Sequence, residues 1–264
     1  MSILHAIVLG IVQGVGEFLP ISSSGHLVLI PYVFGWNYQG IEVDVALHFG
    51  TLLALLIFFW RDWLIIINDA ISHSNDSKSA YPKNLLWILI IATIPGGILG
   101  YLLGDATEQA ARNPLIVATL LVVFGAILWI VDAKINGKKN YSDIGYGKGL
   151  FVGLAQAVSL FPGVSRSGIT TTAGLMSGLS REKAMRFSFL LGAPITLGAV
   201  LLKLKDLTPR MVTLPFGIAI LTSAIFGIIS IKFLLDFLKK HGFAGFAIYR
   251  FALAALILIL YFTK

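Results

Sequence analysis

Long apolar runs alternate with short polar segments along nearly the whole chain. Six of these runs approach the length of about 20 residues that a helix needs to cross the hydrocarbon of a bilayer. The six predicted spanning helices cover residues 45–60, 85–103, 115–131, 187–202, 214–235 and 246–262. The pattern therefore predicts an all-α polytopic membrane protein.

Two further apolar regions, 3–33 and 147–179, are each interrupted in the middle by proline, glycine and serine. Proline ends a helix because it lacks an N–H and clashes with the preceding turn. Each half of these regions is too short to cross alone, so we expect two re-entrant helix hairpins. Their irregular loops would lie at membrane depth and be covered by protein. A kinked spanning helix is the alternative for each region.

The two broken regions resemble each other at an offset of 143 residues. The matching pairs are Gly10 and Gly153, Gln13 and Gln156, Ser22 and Ser165, Ser24 and Ser167, and Gly25 and Gly168. Each hairpin precedes three predicted spans, so the second copy starts from the opposite face of the membrane. We predict a single membrane domain with an inverted-topology repeat, in which 1–133 form the first repeat and 147–264 the second.

The composition agrees with a membrane location. The chain is 57% apolar and only 12% charged, with a mean hydropathy of +0.87, whereas about a quarter of the residues in soluble domains are charged. The net charge of +7 would suggest nucleic acid as the partner of a soluble protein. Here the basic residues lie in short loops, where they set topology, so we expect no nucleic-acid partner. The absence of cysteine excludes disulfides and thiolate chemistry.

The distribution of lysine and arginine predicts the orientation, because the more basic side of a membrane protein is cytoplasmic. That side holds Arg61, Lys78, Lys83, Lys134, Lys138, Lys139, Lys148, Arg181, Lys183, Arg186, Lys239 and Lys240. Both termini and the mouth of the first hairpin then face outward, in a cell (inner or plasma) membrane. Arg61, Arg186 and Arg250 are expected to snorkel near cytoplasmic ends. Asp105, Glu108 and Arg112 are expected in a solvated outer loop.

The first hairpin carries candidate acid–base groups. Gln13 and Glu17 lie four residues apart, and hence on one face of the first half-helix. A carboxylate within the membrane costs about 2.5–3.5 kcal/mol even on lenient insertion scales, so Glu17 needs a partner or a function. A structural ion pair or a cap for the loop is the alternative. His26, after the break, can transfer protons near neutral pH, unless it is a satisfied core histidine.

Serines and an arginine at the two breaks favour an anion. Backbone N–H groups at the start of a half-helix attract negative charge, and the hydroxyls of Ser22, Ser23 and Ser24 add donors, although Ser23 could instead attack. In the second loop Arg166 offers a planar guanidinium that fits phosphate oxygens. A snorkelling arginine is the alternative there.

The repeat is asymmetric at these positions. The copies of Glu17 and His26 are Leu160 and Ile169, while Arg166 aligns with Ser23. One hairpin would supply acid–base groups and the other an anion clamp, which predicts a buried site for a phosphate-bearing lipid. Asp44 and His48 are expected to bond the backbone, and no spacing indicates zinc ligands or a nucleotide-binding loop.

Four segments resemble motifs of the undecaprenyl-diphosphate phosphatases of the bacitracin-resistance type: 13–17, 17–26, 162–170 and 186–194. The resemblance implies hydrolysis of a C55 polyprenyl diphosphate to the monophosphate carrier used in cell-wall synthesis. It implies acid–base roles for Glu17 and His26, and a nucleophilic or phosphate-binding role for Ser23. The implied phosphate clamp consists of Arg166, Ser165 and Thr170, and we expect Gln13, Ser22, Ser24 and Ser167 to contact substrate as well.

The resemblance also implies a divalent cation, Mg²⁺ or Ca²⁺. Gln13 stands where another version of the family has a second glutamate, so Glu17 is the one tentative protein ligand. Waters and the diphosphate would complete its shell.

Two other functions remain open at this stage. Inverted repeats and broken helices at the midplane are typical of transporters, so a transporter that flips a polyprenyl phosphate without hydrolysis is the alternative. It has little use for Glu17 and His26. A purely structural membrane subunit leaves Glu17 and Arg166 unexplained. The expected partners are polyprenyl diphosphate and membrane lipids, and a second copy of the chain in a homodimer is considered as well.

Overall fold

The computed structural model describes residues 2–36, 41–71, 81–111, 113–135, 137 and 140–263. Within these ranges the chain forms helices joined by short loops and two 3-10 turns. The helices are α1 (Ile3–Gly16), α2 (Ser23–Phe34), α3 (Ile41–Phe58), α4 (Trp60–Ile71), α5 (Leu85–Ala111), α6 (Pro114–Lys134), α7 (Tyr146–Val158), α8 (Arg166–Met176), α9 (Arg181–Leu204), α10 (Leu214–Leu238) and α11 (Ala244–Thr263).

Both interrupted apolar regions fold as pairs of short helices, as predicted. The helix α1 has 14 residues and α2 has 12, while α7 has 13 and α8 has 11. At 1.5 Å per residue the longest reaches about 21 Å, which is short of the roughly 30 Å of hydrocarbon. Each pair is followed by longer helices, so the fold is that of a polytopic membrane protein with re-entrant hairpins.

Five helices of the described chain are long and apolar enough to cross a membrane, namely α6, α9, α10, α11 and the part of α5 from Leu85 to Gly104. The first predicted span, 45–60, has a different form. Its helix α3 meets α4 at an angle of 71°, and this bent pair counts as a sixth span. The helix α5 continues to Ala111, so the prediction that Asp105 and Glu108 lie in a loop is wrong. Arg112 and the predicted polar loop 72–79 lie outside the described residues.

An ion pair lies at the bend between α3 and α4. Asp62 Oδ1 lies 2.9 Å from Nη2 of Arg186 on α9, and the guanidinium lies over the ring of the buried Phe59, 5.2 Å from its centre. The hydroxyl of Tyr81 donates to the same carboxylate oxygen at 2.5 Å. Burial and this bond raise the pKa of Tyr81 to about 12, so the hydroxyl remains a donor. The head of Arg186 is thus paired with Asp62, and its predicted snorkelling stays a prediction.

The two hairpins correspond in local geometry. The helices α7 and α8 begin 143 residues after α1 and α2, at the predicted offset. Ser22 and Ser165 cap α2 and α8 with nearly equal backbone angles, φ 71° and 70°. Their hydroxyls accept from the N–H groups of Gly25 and Gly168 at 3.4 and 3.2 Å. The inverted orientation of the two repeats stays a prediction.

Each hairpin is covered by a long helix from the other half of the chain. The helix α1 packs on α10, and α7 packs on α5. A Cβ atom at Gly14 would lie 2.6 Å from the carbonyl oxygen of Ser223, and one at Gly153 would overlap the backbone of Ala92. Glycine at these positions lets the backbones approach closely. One face of α1 and of α7 is thus covered by protein, and the loops at the breaks are buried at Ser22 and Ser165, as irregular backbone at membrane depth requires.

Candidate active site

The centre of the site is an ion pair between the two hairpins. Glu17, at the end of α1, and Arg166, at the start of α8, meet with 2.9 Å between Oε1 and Nη2. Only about one-tenth of each side chain is exposed. The prediction that a carboxylate from one hairpin meets a guanidinium from the other is confirmed. Each charge is the partner that the other needs at membrane depth.

The second carboxylate oxygen of Glu17 accepts from two neighbours. The Ser23 hydroxyl donates to Oε2 at 2.8 Å, and Gln13 donates through Nε2 at 3.2 Å. Gln13 lies one turn before Glu17 on the same helix face, as the four-residue spacing predicts. Gly16 allows Ser23 to come this close, because a Cβ there would lie 3.0 Å from the Cα of Ser23.

Arg166 is positioned by α9. Its Nη1 donates to the carbonyl oxygen of Ser188 at 3.2 Å. The Ser188 hydroxyl lies 2.6 Å from that of Thr170, which in turn donates to the carbonyl oxygen of Arg166 at 2.7 Å. A side chain at Gly192 would collide with the guanidinium. Ser188 and Gly192 belong to the segment 186–194 that carries the family resemblance, which is the signal for them that the sequence contains.

The two loops are joined by reciprocal hydrogen bonds. The hydroxyl of Ser24, in the first hairpin, accepts from the N–H of Gly163 at 3.4 Å. The hydroxyl of Ser167, in the second hairpin, donates to the carbonyl oxygen of Leu19 at 3.2 Å. The loops thus hold one another in register beside the ion pair.

Ser22 and Ser165 are used differently from the prediction. We expected free N–H groups at the starts of α2 and α8, but these two hydroxyls already accept from Gly25 and Gly168. Each capping hydroxyl also lies near a second serine, at 3.1 Å from Ser24 and 3.3 Å from Ser167 respectively. In this conformation the capping serines stabilise the loops. Their contact with substrate stays a prediction.

His26 is turned toward α11. Its Nδ1 lies 2.8 Å from the carbonyl oxygen of Ser22, and its Nε2 lies 2.7 Å from the hydroxyl of Tyr249. A carbonyl oxygen only accepts, so Nδ1 carries a proton, and Nε2 of the neutral ring accepts from Tyr249. The rings of His26 and Tyr249 stack at 5.6 Å, only 6° from parallel. Tyr249 was missed from the sequence, because nothing local to position 249 indicates a partner in the first hairpin.

Arg250 is also part of the loop structure. Its side chain is fully buried, and Nη2 donates to the carbonyl oxygens of Gly163 at 2.7 Å and Val164 at 3.1 Å. Further bonds reach Leu121 at 3.1 Å and Leu120 at 3.3 Å. The prediction that Arg250 snorkels is wrong, because the buried guanidinium donates to carbonyl oxygens of the irregular loop and of α6. The sequence contained one signal for this role, since an arginine within an apolar run needs buried partners.

In this conformation the Glu17 carboxylate is engaged by protein groups. Throughout the described ranges no group of three His, Asp or Glu side chains could hold a metal. Both carboxylate oxygens of Glu17 are already hydrogen-bonded, to Arg166 on one side and to Ser23 and Gln13 on the other. His48 donates through Nδ1 to the carbonyl oxygen of Asp44, 2.8 Å away, so it bonds the backbone as expected.

Comparison with known proteins gives a consistent result over the full chain. Residues 6–256 match the family described as "Bacitracin resistance protein BacA". Three relatives named undecaprenyl-diphosphatase are each 46% identical. The protein of Pelotomaculum thermopropionicum aligns over 98% of this chain and 97% of its own length. That of Moorella thermoacetica aligns over 100% of both chains, and that of Caldicellulosiruptor bescii over 100% of this chain and 99% of its own.

Proposed function

This chain belongs to the bacitracin resistance protein BacA family, and on that premise we propose that Glu17, Ser23 and Arg166 carry out its reaction. The protein is a multi-pass membrane phosphatase that hydrolyses undecaprenyl diphosphate to undecaprenyl phosphate and phosphate. This reaction recycles the lipid carrier of cell-wall synthesis. One observation supports the residue roles above all others: the Glu17 carboxylate bridges Arg166 and Ser23, with bonds of 2.9 and 2.8 Å.

Glu17 is the base in this proposal. A nucleophile and its base must lie within about 2.6–3.2 Å of each other, and the Ser23 hydroxyl already donates to Glu17 at 2.8 Å. Ser23 Oγ attacks the terminal phosphorus while its proton passes to Glu17. The bond from that phosphorus to the bridging oxygen breaks, and undecaprenyl phosphate leaves with the electron pair. Water then hydrolyses the phosphoserine and releases phosphate. Direct attack by water, activated by Glu17, is the alternative.

Arg166 is the phosphate clamp. Its guanidinium is always charged and presents a fork of donors, and Ser188 and Glu17 hold it in place from two sides. Positive charge fixed in a site that excludes water stabilises the charge that develops on the transferred phosphoryl oxygens. Thr170 acts on this group through its bond to the Arg166 carbonyl. Gln13 keeps the carboxylate oriented toward Ser23.

His26 has a different place in the proposal. Its Nε2 accepts from Tyr249, so a proton reaches or leaves this nitrogen through the Tyr249 hydroxyl. We therefore propose His26 for proton exchange with that side of the site and Glu17 for activation of the nucleophile. The comparisons do not favour the transporter without hydrolysis.

Several finer expectations remain proposals. The Mg²⁺ or Ca²⁺ that the resemblance implies would have Glu17 as its one protein ligand. The outward direction of the termini and of the first hairpin's mouth follows from the basic loops alone. A homodimer likewise remains a proposal.

The decisive experiment measures phosphate release from undecaprenyl diphosphate by purified protein in detergent. We expect Glu17→Gln and Arg166→Lys each to lower kcat at least about a hundredfold, in line with the loss of a general base and of a charge-stabilising donor. Arg181→Lys is the matched control for Arg166→Lys, because Arg181 pairs with Asp132 through Nε and Oδ1. It should keep near-normal activity.

Three results would contradict the proposal. Equal release by wild type and both variants would indicate a contaminating phosphatase. Activity that stays at the wild-type level in Glu17→Gln and Arg166→Lys would show that the reaction does not require these residues. Binding of the lipid by wild type without release of phosphate would favour the alternative function, a transporter without hydrolysis.

A further inference from the structure

An apolar groove lies between α2, α6 and α11, outside the ion-pair site. It has a cavity volume of about 50 Å³ and is lined by Val28, Leu29, Tyr32, Pro114, Val117, Ile257, Leu260 and Tyr261. Val28 is 37% exposed and Tyr32 is 42% exposed, so the groove opens at the surface of the protein. The groove therefore offers an apolar surface between three helices.

The groove reaches the junction of the two hairpin loops. Its floor residue Val117 has Cγ1 3.8 Å from where a Cβ on Gly25 would stand, and its carbonyl oxygen 2.6 Å from where one on Gly163 would stand. Gly163 donates to Ser24, which follows Ser23 in the chain. The deep end of the groove therefore lies against the backbone of both loops that carry the phosphate-site residues.

The groove follows one face of α2 away from that junction. Gly25, Leu29 and Tyr32 are spaced by four and three residues, so they lie on one face of the helix. The separation of seven positions from Gly25 to Tyr32 corresponds to about 10 Å of helix. Polar contacts join α2 to α11 at both ends, from His26 to the Tyr249 hydroxyl at 2.7 Å and from the Tyr32 hydroxyl to the Leu260 carbonyl oxygen at 3.4 Å. Between these contacts the lining is apolar.

We propose that this groove binds the polyprenyl chain of the substrate next to its diphosphate. The inference rests on the proposed function, because the occupant is the lipid whose head group lies between Glu17 and Arg166. A diphosphate held at the loop junction places its first isoprenoid units at the deep end of the groove, beside Val117 and Leu29. The rest of the chain passes sideways between α2 and α11 into the bilayer. Apolar walls stabilise such a chain in proportion to the area they bury.

The test compares two substrates that share a head group. Rates of phosphate release are measured for undecaprenyl diphosphate and for a five-carbon prenyl diphosphate, with wild type, Val28→Trp and Leu260→Trp. The two substitutions fill the groove from opposite walls. We expect kcat/KM for the long substrate to fall at least about tenfold, chiefly through KM, as expected when ground-state binding is lost. The value for the short substrate should stay within about twofold.

Val122→Trp is the matched control. Val122 is 43% exposed on α6 and lies five residues beyond Val117, which turns it away from the groove. The Val122→Trp variant should have the wild-type kcat/KM for both substrates. A thermal unfolding midpoint near that of wild type confirms that each variant is folded.

The outcomes separate the groove from the reaction itself. If wild type releases phosphate from neither substrate, the proposed function fails. If wild type is active but the groove variants lower kcat/KM equally for both substrates, or for neither, the groove holds only bulk lipid and the inference is wrong. A fall in kcat/KM for the long substrate alone, in both groove variants, supports the inference.

Discussion

Gly192 leaves the space that the Arg166 guanidinium occupies: a Cβ atom at position 192 would lie 2.6 Å from Arg166 Cζ. We predict that Gly192→Ala displaces the guanidinium from Glu17 and lowers kcat at least about tenfold, because misplacement of a charge-stabilising group weakens its effect on the transition state. Gly198→Ala is the control on the same helix, since a Cβ there meets nothing within 4 Å. Similar activity of the two variants would contradict the assigned position of Arg166.

Ser23 and Glu17 should behave as one unit. If Glu17 activates the Ser23 hydroxyl at 2.8 Å, Ser23→Ala and Glu17→Gln each remove the same step, and the double variant should be no slower than the slower single variant. Single-turnover phosphate release measures all three. If the rate reduction in the double variant equals the product of the two single reductions, Ser23 and Glu17 act independently. That result would favour attack by water. Ser177→Ala serves as the serine control, because its hydroxyl bonds only its own helix, at Ala173.

Tyr249 is expected to act through His26. Tyr249→Phe removes the donor to His26 Nε2, a bond worth about 0.5–1.5 kcal/mol, and should lower kcat by up to about tenfold. In a protein that already carries His26→Ala, the same change should have almost no effect. A full effect of Tyr249→Phe in that background would mean that the tyrosine has another role. Tyr101→Phe, at a residue that is 79% exposed, controls for the loss of a phenolic hydroxyl.

Arg250 should matter for stability as well as for activity. Arg250→Met keeps a long apolar side chain but leaves the carbonyl oxygens of Gly163 and Val164 without their donor. An unsatisfied buried polar group costs about 1–3 kcal/mol, so we expect a clearly lower midpoint of thermal unfolding in detergent, together with lost activity. Arg61→Met is the control, since Arg61 is exposed and lies over the Trp60 ring. Equal midpoints would show that the loop does not depend on Arg250.

The sequence was most informative where polar residues interrupt apolar runs. Proline and serine at the two breaks predicted the short helix pairs, because a helix cannot continue through them. Glu17 and Arg166 were predicted to meet, because neither charge is tolerated alone at membrane depth. Both inferences use local patterns and a large energetic penalty, and the structure confirms the ion pair at 2.9 Å.

Contacts between distant segments were the part that the sequence did not reveal. The ion pair at the bend between α3 and α4 joins Asp62 and Arg186, which are 124 residues apart. Arg250 was placed at a helix end from its distance to the loop before it, whereas its carbonyl partners lie on α6 and in the second hairpin. Backbone carbonyls have no sequence signature, so an arginine that binds them cannot be distinguished from one that reaches the interface.

The bonds from Ser24 to Gly163 and from Ser167 to Leu19 have a mechanical consequence. They tie together the two halves of the chain at the same place where the reacting groups meet. Any sliding of one half past the other large enough to carry a lipid head across the bilayer would break these bonds and pull Glu17 away from Arg166. Cleavage at Glu17 and Arg166 therefore requires the two halves of the chain to keep the register that these bonds fix.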